Sequence, residues 1–154
     1  MFPTLLALHS LFRWFILISM VYSIILAYRG WFKKRRFTKH DHWTRIITVS
    51  FVHIQLMIGI WLYYHSPIVD YFLNNFSTAL HQTQLRFFGM EHITMMVLGV
   101  TLVTVGSSIA RRKKEDAEKF KAIAIWYTIA LIVIFFSIPW EFSPFTSRPN
   151  FRMF

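Results

Sequence analysis

Leu5–Tyr28 reads LLALHSLFRWFILISMVYSIILAY. A bilayer crossing takes roughly 20 mostly apolar residues, and this run is long enough. Only His9 and Arg13 within it carry ionisable groups other than tyrosine. Three further apolar runs follow, from about Arg45 to Tyr64, Phe87 to Ala110 and Ala122 to Ile138. The four cover more than half of the 154 residues, and the chain is 55% hydrophobic and 16% charged, against about a quarter charged in a soluble domain. Lipid requires each span to satisfy its own backbone groups, and the two-residue alternation of a membrane barrel is absent. The sequence therefore predicts an all-α, polytopic membrane protein, a four-transmembrane-helix bundle forming a single membrane domain over residues 1–154. Removal of the spans leaves too little chain for a second domain.

The formal net charge of +10 is unevenly spread. Arg29, Lys33, Lys34, Arg35, Arg36, Lys39 and Arg45 form one block, and Arg111, Arg112, Lys113, Lys114, Lys119 and Lys121 another. Both lie in connections on one side of the membrane, while the other side holds little beyond Arg86, Arg148 and Arg152. This is the positive-inside pattern, and basic blocks beside spans also attract anionic lipid headgroups. It points to the lipid bilayer as partner and away from nucleic acid. A bacterial cytoplasmic membrane location is expected, with both termini and the loop 65–86 on the outer, periplasmic side. MFPTLLALHSLFRW has no basic leader region and runs straight into a full-length span, so span one is expected to be retained.

The loop opens on Ser66-Pro67, and an amphipathic helix is expected around Val69–Gln84. Span four should stop at Pro139, which cannot continue a helix, with Trp140 suited to the interface. The outer tail 139–154, rich in Pro, Phe and Arg after Trp140, is expected to lie against the outer surface. The chain has no cysteine. That excludes disulfides, Cys-ligated zinc, iron–sulfur clusters and covalently attached haem.

Ionisable groups at membrane depth are costly and mark function by default. Besides His9 and Arg13 they are His53 in span two and Glu91 and His92 in span three. Spans one and three both enter from the outer face. His9 lies a few residues inside the first and His92 about five residues inside the other. At about 1.5 Å per residue, both stand roughly 10 Å outward of the midplane, and His53 is deeper by roughly 10 Å. Two imidazoles on one iron need equal depth on facing helices, and His9 and His92 meet that condition. His53 is either an interhelical hydrogen-bonding residue or the ligand of a second, deeper site in a homodimer.

The surroundings suit a flat macrocycle. His92, Gly99 and Gly106 recur every seven residues on one face of span three, leaving room for a ring or for a closely packed helix. Met95 and Met96 lie one turn from His92, and Met57 one turn from His53, as soft walls. Arg13 and Arg86 suit haem propionates through charge-assisted hydrogen bonds. Glu91 serves either as an ion-pair partner of Arg13 or as a proton-linked group. His40, His42, His65 and His81 are expected at the surfaces.

The segments LHSLFRW (Leu8–Trp14), VHIQLMIGIWLY (Val52–Tyr63), RFFGMEHITMM (Arg86–Met96) and SIPW (Ser137–Trp140) together resemble a group of small bacterial four-helix proteins described as cytochrome b-like. The sequence is more distantly similar to one four-helix half of the haem A synthase family. There histidines on alternate helices ligate haem, and the resemblance implies that role for His9 and His92. That family spaces its glutamate three residues from the histidine and follows the histidine with arginine. Here Glu91 adjoins His92 and Ile93 follows, so the synthase reaction is not expected.

The expected function is that of a membrane cytochrome with non-covalent haem b between helices. His9 and His92 (with His53 as the further candidate) would serve as metal ligands. Arg13, Arg86, Glu91, Gly99 and Met95 would line the cofactor. Its role would be electron transfer linked to quinol or a larger respiratory complex, not stand-alone catalysis. The alternative is a haem-free accessory or assembly subunit whose polar residues pin helices together. A proton or metal-ion pathway through His53, Glu91, His92 and Arg13 is a third reading.

Overall fold

Each long apolar run forms a helix, and every helix runs past its run into polar sequence. The computed structural model describes residues 1–143 and 146. In chain order the helices are α1 (Phe2–Phe32), α2 (Lys39–Tyr64), α3 (Pro67–Asn74), α4 (Phe76–Ala79), α5 (Thr83–Arg86), α6 (His92–Arg112) and α7 (Asp116–Ser137). A π-helical turn, Phe87–Glu91, joins α5 to α6. Among the described residues there is no strand. Four helical segments are long and apolar enough to cross a membrane: Phe2–Phe32, Lys39–Tyr64, Thr83–Arg112 and Asp116–Ser137. The protein is an all-α membrane protein.

The extra turns follow from the flanking residues. Helix α1 has 31 residues, about 46 Å at 1.5 Å per residue. That exceeds a hydrocarbon core of about 30 Å, so the helix is long enough to cross it and still carry the basic Arg29–Phe32 end beyond. Helix α2 begins earlier than its apolar run because Thr38 and Asp41 cap it. The Asp41 carboxylate accepts the Thr38 backbone N–H at 2.8 Å and its hydroxyl at 2.7 Å, reciprocal capping that stabilises a helix start. Arg35 holds the same carboxylate at 2.6 and 2.8 Å. The expected loop helix is split into α3, α4 and α5, and residues 144–145 and 147–154 of the expected outer tail lie outside the described residues.

Around the bundle the long helices neighbour one another in the order α1, α2, α6, α7, which returns to α1. Helices α1 and α6 therefore face each other across the diagonal. The α6–α7 seam is closed by glycines. A Cβ on Gly99 would lie 2.6 Å from Ile134 Cγ1, and one on Gly106 would overlap Trp126. This is the small-residue packing that lets membrane helices approach closely.

The basic end of the bundle is filled. Met20, Val103, Phe120, Ala124 and Tyr127 are fully buried there. Ser23 and Thr48 share a 2.8 Å hydrogen bond between α1 and α2, and Arg45 on α2 donates to the Ser107 hydroxyl on α6. The opposite half is not filled in this way, and the candidate site lies in it.

Candidate functional site

Across the diagonal, the imidazoles of His9 on α1 and His92 on α6 stand with ring centres 6.4 Å apart and planes at 71°. Two imidazoles sharing one metal ion, each nitrogen about 2 Å from it and each ring centre about 1 Å further, have centres about 6 Å apart. The separation suits a shared metal, and the sequence placed both residues at one depth.

His92 is oriented by the end of α7. Its Nδ1 lies 2.8 Å from the Ser137 carbonyl oxygen. A carbonyl only accepts, so Nδ1 carries the proton and a neutral ring keeps its lone pair on Nε2. The carbonyl is free to accept because Ser137 is the last residue of α7 and Pro139 follows; helix ends leave such carbonyls without an intrahelical donor. Metal-bound histidines generally donate their second N–H in this way. Phe87 and Phe88 flank the ring, with centres 5.6 and 6.2 Å from it.

His9 faces α2 along its Nδ1–Cε1 edge. A Cβ on Gly59 would stand 3.2 Å from Cε1 and 3.8 Å from Nδ1, so the absence of a side chain there gives the ring its clearance. One turn earlier on α2, Gln55 Nε2 donates to the His9 backbone carbonyl at 2.8 Å.

Both imidazoles line a cavity of about 420 Å³ that reaches all four long helices. On α1 its wall runs from Phe2 to Ile16, about 21 Å of helix, with His9 midway. Val52, Leu56, Met96, Val100 and Ile134 supply apolar walls, and Ser66–Val69 close it at the start of α3. Apolar walls with a few convergent polar groups are the usual character of a cofactor pocket. Arg13 also lines it, buried, with its guanidinium carbon 5.5 Å from the Trp14 ring centre and 5.4 Å from that of Trp140. No family model, curated protein or solved structure matches this chain.

The other expected site residues fall elsewhere. His53 is exposed on α2, its Nδ1 2.8 Å from the Val49 carbonyl and its Nε2 3.2 Å from the Thr104 hydroxyl. It does not line the cavity. Arg86 pairs with Glu91 at 2.6 Å and donates to the Leu80 carbonyl at 3.1 Å. Neither member of that pair lines the cavity. Met95 points outward while Met96 faces the cavity, and Gly99 faces Ile134 on α7. Three contributors are not marked as such in the sequence reading: Gln55, the Ser137 carbonyl, and Tyr63, which lines the cavity and donates to the Gly89 carbonyl at 2.8 Å. A neutral amide inside an apolar span was a readable signal for Gln55, whereas a backbone carbonyl leaves none.

Proposed function

We propose that this protein is a b-type cytochrome of the bacterial cytoplasmic membrane, exchanging electrons with quinol or a larger respiratory complex. The observation that carries this reading is the His9–His92 pair, 6.4 Å apart across the cavity. The engaged Nδ1 of His92 and the resemblance to cytochrome b-like proteins support it. His9 and His92 would ligate haem b non-covalently, which supplies a one-electron couple. Held by both imidazoles, the iron would have no place for oxygen, so the chemistry that would fit is electron transfer.

Arg13 would hold a propionate by charge-assisted hydrogen bonds, with Trp14 and Trp140 steadying its guanidinium. The apolar walls would keep water from the iron. Arg86 and Glu91 would serve each other, and His53, Met95 and Gly99, which do not line the cavity, would make no contact with the cofactor. The basic connections would lie in the cytoplasm by the positive-inside rule, with the histidine cavity towards the periplasmic side.

Absorption spectra of the purified protein test this. A Soret band and a reduced α-band are expected, together with haem on pyridine extraction, and His92→Ala should abolish the α-band. A colourless protein overturns the reading and leaves that of a haem-free accessory subunit. An unchanged spectrum in His92→Ala removes that residue from the ligand set.

A further inference from the structure

His9 and His92 differ in what their second ring nitrogen meets. His92 Nδ1 has the Ser137 carbonyl. His9 Nδ1 is buried with no hydrogen-bond partner among the described residues, and so is Gln55 Oε1. These two atoms are complementary, a donor in one tautomer and an acceptor. An unpaired polar atom in an apolar setting is costly, and two complementary ones on facing helices are costlier still.

Gln55 is already fixed beside His9. Its Nε2 donates to the His9 backbone carbonyl at 2.8 Å, so the amide lies at the level of that residue. The Nδ1–Cε1 edge of the ring is turned towards α2, as its proximity to Gly59 requires, and Gly59 lies one turn from Gln55. Both Gln55 and His9 line the same cavity. The pairing requires a turn about the terminal amide torsion of glutamine, which is broad and soft.

We infer that Gln55 is a positioning residue that accepts the Nδ1–H of His9, doing on α2 what the Ser137 carbonyl does at the end of α7. This rests on the reading of His9 as a haem ligand. Such an acceptor fixes the tautomer, turns the Nε2 lone pair into the cavity and raises the basicity of the ligand. A more basic ligand favours the oxidised metal.

Two substitutions separate this role from that of a simple interhelical pin. Gln55→Leu loses both the acceptor and the donor, whereas Gln55→Glu keeps and strengthens the acceptor but loses the donor to the His9 carbonyl. The reading is the midpoint potential of the α-band by spectroelectrochemical titration, with haem affinity measured alongside. Gln55→Leu should raise the potential and weaken haem affinity about ten- to hundredfold. Gln55→Glu should lower the potential; a tenfold change in the ratio of oxidised to reduced affinity is about 59 mV for one electron. Opposite shifts support the inference. Unmoved potentials, or shifts of one sign in both variants, overturn it while leaving the haem intact. A wild-type protein without a Soret band fails at the earlier step, and that result is visible before any variant is made.

Discussion

Two glycines on different helices make the same physical point with opposite consequences. Gly59 leaves space for the His9 ring, and Gly106 leaves space for Trp126. A side chain at Gly59 would press on the proposed ligand, so Gly59→Leu should lower haem content about tenfold, as expected when a ligand's setting is disturbed. The thermal midpoint of the cofactor-free protein should change little, and haem per protein by pyridine extraction checks the contrast. At the α6–α7 seam the added Cβ of Gly106→Ala meets the base of a tryptophan side chain. Overpacking of this kind costs about 1–3 kcal/mol, which should appear as a lowered thermal midpoint in detergent. A Gly106→Ala protein as stable as wild type would mean the seam yields readily.

At the scale of elements, the π-helical turn Phe87–Glu91 decides how α6 presents His92. A π turn inserts one residue into the helical ladder and is often found at functional sites. It is held from two sides. Tyr63 donates to the Gly89 carbonyl at 2.8 Å, and Phe72 of α3 sits where a Gly89 side chain would be. Tyr63→Phe should cost about 1 kcal/mol by removing one net hydrogen bond, and Gly89→Ala should displace α3, whose first turn closes the cavity. With haem bound as proposed, both variants should lose it faster to an apoprotein acceptor, and an unchanged release rate would show that α3 does not limit exit.

This turn also explains one thing the sequence left unread, the placement of Arg86. Each helical residue advances about 100° around its axis, so an inserted residue changes which side chains share a face. Arg86, before the turn, meets Glu91 and not the cavity. Within the regular helix after it, Met95 and Met96 lie on opposite flanks of His92 at about 100° per residue, and the Met96 flank, with Ile93 and Val100, is the one on the cavity wall. Span lengths and the common depth of His9 and His92 were legible because they depend on counting alone. Which flank of His92 meets the cavity and which meets α7 was not, because that depends on how the helices pack, and neither was a carbonyl freed by Pro139.

The molecule as a whole is divided by charge and by packing along the same axis. The basic connections flank the filled half, and the cavity occupies the other. Because the chain has no cysteine, single cysteines report sidedness without background. In intact cells, Asn75→Cys should react with a membrane-impermeant maleimide, whereas Lys114→Cys should react only after permeabilisation. The reverse pattern would overturn the proposed orientation.

The unequal packing of the two halves bears on assembly. Helices gripped tightly at one end and parted at the other behave like a clothes-peg, with the jaw shaped before anything is put into it. Were haem bound as proposed, it would find its cavity already formed between the spans and bordered by the first turn of α3. On that proposal, haem would be added after insertion in the bilayer, from the side where the jaw opens.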